Sequence, residues 1–403
     1  MSKLSDLIRD LCPDGVEYKR LGEVATISRG GNFQKKDFVE HGVPCIHYGQ
    51  IYTRYGLFAD STFTFISEEK AQKQKMAKKN DVIMAVTSEN IEDVCKCLAW
   101  LGDEDVAVSG HSAIIHHTLD ARYLVYFLHS AQFFSQKRKL AHGTKVIEVT
   151  PDKLNDIVLP VPPLEVQREI VRILDNFTEL TAELTAELTA ELTARKKQYE
   201  YYQNILLTCD GFNIEPVDKK LGKEIQWLTL GEVCTLKAGK TISSTEIFHE
   251  PFGKYQYPCF GGNGLRGYVK SYNQEGNFSL IGRQGALCGN VCYASGKFYA
   301  TEHAVVVEPK GKCDERFLYY ILIAANLNQY KTAGAQPGLS VAKLEKVLVL
   351  IPSMSAQKRI VDILDRFDAL CNDITIGLPA EIEARQKQYE YYRDKLLSFK
   401  EKK

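Results

Sequence analysis

Most of the features that would assign these 403 residues to a common enzyme or membrane class are missing. Positive and negative charges cancel, 51 against 51, whereas a protein that merely coats nucleic acid usually carries a large basic excess. No run approaches the roughly 18 consecutive apolar residues a membrane-spanning helix needs. The opening MSKLSDLIRDLC is charged at Lys3, Asp6, Arg9 and Asp10, so no secretory leader is expected there. Eleven cysteines occur without a Cys-x-x-Cys pair. Neither Cys95 with Cys97 nor Cys288 with Cys292 has histidines at metal-site spacing. Reduced thiols in a cytoplasmic protein are the expectation. There is no Gly-x-x-x-x-Gly-Lys-Ser/Thr phosphate loop. The Asn/Asp-Pro-Pro-Tyr/Phe motif of amino methylation is absent too, and Val161-Pro162-Pro163-Leu164 has the wrong flanks for it. Gly261-Gly262-Asn263-Gly264 lacks nucleotide-loop spacing and reads as a turn.

What is present is a duplication. The run ARKKQYEYY at 194–202 returns as ARQKQYEYY at 384–392, and QREIVRIL at 167–174 returns as QKRIVDIL at 357–364, both at an offset of 190. At the front of each half, Leu21-Gly22-Glu23-Val24 answers Leu230-Gly231-Glu232-Val233, at an offset of 209. The length difference therefore lies inside the stretches that precede the QREIVRIL-type motifs. Two related halves in one polypeptide can present similar but non-identical surfaces about an approximate two-fold. The length also exceeds what one core usually organises. With 44% apolar and 25% charged residues, the composition is that of an ordinary soluble protein.

The most regular stretch is residues 178–194, TELTAELTAELTAELTA, with Leu180, Leu184, Leu188 and Leu192 at steps of four. Leucine, alanine and glutamate favour helix, and no glycine or proline interrupts. The glutamates at 179, 183, 187 and 191 repel one another along one face. The 190-residue offset sets Leu370, Ile374, Leu378 and Ile382 against the four leucines, so the two helices are expected to pair antiparallel. Gly377 and Pro379 should kink or split the second. Helices of about 40 residues, at about 1.5 Å per residue, would hold two bodies tens of ångströms apart, comparable to the roughly 34–36 Å of one DNA turn.

Each globular stretch carries strand-like segments between glycine-marked turns. Residues 81–86 and 106–108 in the first half, with 278–281 and 303–307 in the second, read as buried strands. Ser109-Gly110-His111 aligns with Thr301-Glu302-His303, histidines that could order a turn, sit satisfied in a core or touch phosphate. The fold class expected is α+β: two similar strand-rich domains, at 1–155 and 209–350, joined by long helices at 156–208 and 351–403. Lysines cluster at 70, 73, 75, 78 and 79 and again at 137, 139 and 145 with Arg138, which suggests basic readers on a more acidic spacer.

In the LGEV entry, the strand-proline passage before QREIVRIL and QKRIVDIL, and the Thr-Ala-Glu-Leu repeat, the chain resembles the DNA specificity subunits of type I restriction-modification systems over essentially its whole length. The repeat is similar to that of the branch in which copy number differs between members and sets the gap between half-sites. The resemblance implies two target recognition domains, each reading half of a bipartite, asymmetric duplex site, with the helices as ruler and docking surface. It implies two modification subunits bringing S-adenosylmethionine and methylating adenine, and restriction subunits bringing ATP and Mg. It implies no catalysis, no bound cofactor and no membrane for this chain.

Reading DNA takes side chains that reach base edges and donors that grip phosphate. In the second half Arg283 and Gln284 follow a strand on a glycine-flexed loop, where family members often carry a similar Gly-Arg-x-Gly, and they lead the candidates, with Lys237, Lys240, Asn263 and Arg266 behind. The first half lacks that arginine. Its candidates rest on local chemistry: Arg29, Asn32, Lys35, Lys36, Tyr48, Gln50, Tyr52, Arg54, Ser88, Asn90 and Lys145. The tyrosines at 199, 201, 202, 389, 391 and 392 are expected to pack the helix ends or to meet a modification subunit. Two other classes stay open: a scaffold between proteins, indifferent to duplex sequence, and a self-sufficient DNA methyltransferase or nuclease of unfamiliar type.

Overall fold

The computed structural model describes residues 3–207, 225–285, 287–332, 337–373 and 376–402. The chain forms two compact units: Met1–Glu187 together with Ile382–Lys403, and Leu188–Glu381. The units interleave in sequence, because the last segment returns to the first unit.

The first unit is built on a five-stranded sheet in the spatial order Ala25–Arg29, Ser112–His117, Val82–Ala85, Cys97–Trp100, Phe58–Ala59. The first three neighbour pairs are antiparallel and the last is parallel. The second unit repeats this with Cys234–Ala238, Ala304–Pro309, Gln274–Gly282, Val291–Ala300, Tyr257–Gly261, in the same order with the same senses. One hairpin strand, Gly264–Val269, is added at its edge. The duplication seen in sequence is thus a duplication of topology. Most of the extra length of the first half lies between Leu21 and His111, which also holds a second five-stranded sheet, Phe38–Val39, Thr64–Ile66, Val43–Ile46, Val106–Val108, Met76–Ala77. Central strands read as unbroken apolar runs because both faces are covered: all four residues of Val82–Ala85 are buried.

The shared motifs build the frame around each sheet. Leu21 and Leu230 are fully buried, and each opens one helical turn. Glu23 accepts from the Arg20 amide at 2.9 Å, and Glu232 from the Thr229 amide at 2.7 Å. In this way LGEV closes the first strand of its unit and turns it into the sheet. That strand, Tyr18–Arg20 or Gln226–Thr229, pairs with Val158–Pro160 or Leu348–Ile351, the segment that enters the long helix. The glutamine of QREIVRIL is buried: Gln167 donates to the Pro162 carbonyl at 2.7 Å and accepts from the Asp120 amide at 2.9 Å. Gln357 does the same with Pro352 and Asp314, at 2.8 and 2.7 Å. Asp120 and Asp314 in turn cap equivalent helices.

Leu164–Leu207 is one helix of 44 residues, roughly 66 Å at about 1.5 Å per residue. The second is split, as Gly377 and Pro379 foretold, into Met354–Asn372 and Leu378–Leu396. Within each unit the helices run antiparallel. In the first, Phe177 stacks on Tyr392 at 5.7 Å, Thr178 meets the Tyr389 hydroxyl at 3.0 Å, and Leu174 and Leu397 share one core. In the second, Tyr199 and Tyr202 stack on Phe367 at 6.0 and 5.4 Å, and Leu207 joins Ile360 and Leu364. The stripe residues are less covered than the helix ends. Leu180 is 62% exposed and Leu370 37%, while Leu184, Leu188, Leu192, Leu378 and Ile382 are half-buried. Ile374 lies outside the described residues. Among the described residues ten cysteines are free, all but Cys292 buried, and no group of three or more metal-ligating side chains occurs.

Candidate nucleic-acid interface

Each unit carries a cleft of about 780 Å³ at the same place in its sheet. The equivalence is fixed by the backbone. Beside the edge strand, the Gly30 amide donates to the Ser112 carbonyl at 2.9 Å and the Gly239 amide to the Ala304 carbonyl at 3.0 Å. A Cβ at either glycine would meet a carbonyl oxygen, of Ser109 or Ala300, at 2.2 Å, so only glycine fits that crossing. Beyond the central strand, the Val86 amide donates to the His111 carbonyl and the Arg283 amide to that of His303. Arg283-Gln284 therefore stands where the first unit has Val86-Thr87.

In the first cleft Arg29, Asn32, Lys35 and Tyr48 come together, four of the eleven candidates of that half. Tyr48 packs between two imidazoles, 4.6 Å from His47 and 4.9 Å from His111. The His111 Nδ1 lies 3.3 Å from the Thr87 hydroxyl. Burial holds the His47 imidazole below its usual pKa, with Lys35 and His111 acting in the same direction. Arg29 is ion-paired with Glu148 across the cleft. Lys36 and Lys145 are exposed beside the lining. Arg54 lies over the Phe63 ring at 5.5 Å, Ser88 pairs with Ile147, and Asn90 is hydrogen-bonded with Asp93 at 2.8 Å. Gln50 and Tyr52 are turned inward. The Gln50 amide is engaged by the His47 amide and Thr64, and the Tyr52 hydroxyl donates to the Thr87 carbonyl at 2.8 Å.

The second cleft gathers Asn263, Arg266 and Gln284. Arg283 is half-buried at its margin, and its Nε has no partner among the described residues. Lys237 pairs with Glu308 at 3.5 Å on the edge strand, and Lys240 is exposed next to Gly239.

Sequence reasoning missed His47, Thr87 and Glu148 in the first cleft, whereas the aligned His111 and His303, open there to a turn, core or phosphate role, line the first and second clefts. The aligned histidines were the available signal, and His111 proves exposed rather than part of a core. One member of the basic cluster behaves otherwise than expected. Lys137 is buried, donates to the Glu92 and Val94 carbonyls at 2.8 and 2.6 Å, and desolvation lowers its pKa.

Two domains of one sheet topology, with unlike linings at equivalent clefts, define an internally duplicated protein. A profile of the family described as type I restriction modification DNA specificity domain matches residues 13–194 and again 222–384. The specificity subunit of the type I restriction enzyme EcoprrI from Escherichia coli is 37% identical over 93% of each chain. That of EcoR124I/EcoR124II, also from Escherichia coli, is 31% identical over 99% of this chain and 98% of its own. Among solved structures, one describing complex assembly and conformational transition of the type I R-M system is similar in fold, with TM-score 0.64, 17% identity and coverage of 95% of this chain and 97% of its own. The HsdS subunit from Thermoanaerobacter tengcongensis is similar too, with TM-score 0.56, 18% identity and coverage of 96% of each chain. The chain belongs to the type I restriction-modification DNA specificity family, as a non-catalytic specificity subunit. No helix among the described residues is long and apolar enough to cross a membrane.

Proposed function

We propose that each cleft reads one part of an interrupted, asymmetric duplex sequence, and that the Thr-Ala-Glu-Leu helix sets the gap between the parts. The observation that carries this is the pair of clefts at equivalent backbone positions with different side chains: one frame, two readers. The repeat lies wholly within one unbroken helix that begins in one unit and ends in the other, which supports its role as a ruler. Phosphate contacts would supply most of the affinity and base edges the specificity. A stiff link makes engagement of the second half-site an intramolecular event at high effective concentration, so spacing becomes part of what is recognised.

Two modification subunits, supplying S-adenosylmethionine, are the partners this reading assigns to the helices. Tyr201 and Tyr391, at corresponding positions and each 59% exposed, are available for such contacts. Restriction subunits supplying ATP and Mg would complete the assembly. Removing one Thr-Ala-Glu-Leu unit takes away about 6 Å of helix rise, nearly two base-pair steps. Mapping methylated adenines in a host that carries the chain and its modification subunit should show a shorter gap between unchanged half-sites. Altered base identity at an unchanged gap would overturn the ruler.

A further inference from the structure

We infer that Arg29 and Glu148 act as a unit that reads one G·C base pair in the half-site of the first domain. This deepens the reading above and rests on the first cleft facing DNA.

Arg29 ends the edge strand Ala25–Arg29, and Glu148 ends the short strand Ile147–Glu148 on the other side of the cleft. Their side chains are ion-paired and remain 49% and 29% exposed, so both faces are open to a ligand. Side by side, the two present a fork of donors followed by an acceptor. The major-groove edge of a G·C pair presents the complement: acceptors at guanine N7 and O6, then the donor amino group of cytosine N4. An A·T pair sets an amino group where the guanidinium needs an acceptor, and a carbonyl against the carboxylate.

A simple phosphate-gripping role fits poorly, because a carboxylate beside the arginine repels the backbone it would hold. A purely structural role also fits poorly. The backbone equivalent of Arg29 in the second unit is Ala238, paired to Val305 as Arg29 is paired to Ala113. The equivalent of Glu148 is Gly338, which faces Gln284 as Glu148 faces Thr87. The same frame closes in the second unit without either side chain. Both partners are present together in one cleft and absent together from the other, as expected of a reading element that differs between half-sites.

The test uses the full chain with its modification subunit, mapping methylated adenines across a genome for the unaltered chain and for Glu148→Gln. The amide keeps the size of the carboxylate and can still accept from Arg29, but it sets a donor against cytosine N4. The unaltered chain should require one invariant G·C pair in one half-site. Glu148→Gln should relax selectivity at that pair by roughly tenfold or more, and leave the other half-site and the gap alone. A second arm leaves the protein unaltered: 7-deazaguanine at that pair, which removes the N7 acceptor, should weaken binding of the complex roughly tenfold. A half-site with no invariant G·C pair, or selectivity and binding unmoved in both arms, overturns the inference while a bipartite motif still stands. Loss of any bipartite motif in the unaltered chain would instead overturn the reading beneath it.

Discussion

At the scale of single residues, polar groups inside the units are placed by accounting for hydrogen bonds. Gln167 and Gln357 each bridge a proline carbonyl at a strand end to the amide before a helix. Proline ends the strand without donating, and its carbonyl still requires a partner. His129 shows the cost of enclosing a titratable ring. Burial lowers its pKa from 6.5 to about 4, although its Nδ1 lies 2.9 Å from the Val125 carbonyl. The folded state therefore binds fewer protons than the unfolded state between those values. Stability is full above about pH 6.5 and is lost as pH falls towards 4, by about 2 kcal/mol at pH 5. Denaturant midpoints of the first unit at pH 7 and pH 5 should separate less in His129→Gln than in the unaltered protein; equal separations would assign the acid sensitivity elsewhere. Part of the lining of the two clefts was legible at this scale. Arg29, Asn32, Lys35 and Tyr48, with Asn263, Arg266 and Gln284, were visible as donors near glycine turns. Gln50 and Tyr52 were indistinguishable from them, because direction of a side chain is a property of packing. Glu148 passed unnoticed because an acid beside a basic cluster reads as charge balance.

At the scale of elements, the repeat helix is stiff by composition but not by charge. Glutamates at successive i, i+4 positions repel along the helix, and the Arg195 guanidinium offsets only the last, Glu191, at 3.4 Å. Backbone continuity, with neither glycine nor proline over 44 residues, carries the rigidity. A proline in the middle should therefore be felt as a hinge, at about 3 kcal/mol for an interior position. Ala186→Pro should keep the base identity of both half-sites and broaden the range of accepted gaps. Gap lengths among methylated sites measure this directly, and an unbroadened distribution would show that the helix does not set spacing. The second helix already contains such an interruption at 377–379, legible in the sequence because only glycine and proline were needed to see it.

At the scale of the whole molecule, the first unit is closed by the chain's last segment. Val16 donates to the Lys400 carbonyl and accepts from the Lys402 amide, both at 2.9 Å, the Tyr18 hydroxyl donates to the Phe399 carbonyl at 3.1 Å, and Leu397 is fully buried. Losing one buried leucine alone costs about 2–5 kcal/mol. Removing residues 397–403 should lower the melting transition of the first unit and leave that of the second in place. Calorimetry should resolve the two transitions, and equal shifts in both would contradict the partition. The duplicated motifs made two domains legible, yet they suggested a linear succession of domain, helix, domain, helix. Contacts group residues 382–403 with the first unit instead.

The sequence by itself determined the elements and their repetition, because helix and strand periodicity, glycine, proline and duplicated motifs are local properties of the chain. It also determined what the protein lacks: no phosphate loop, no amino-methylation motif and no excess of one charge. Tertiary structure alone decided which donors share a cleft, which are spent inside the domain, and that an arginine and a glutamate 119 positions apart stand as one pair. Those outcomes depend on strand order and on burial, which bring distant residues together and choose which face of each strand meets water.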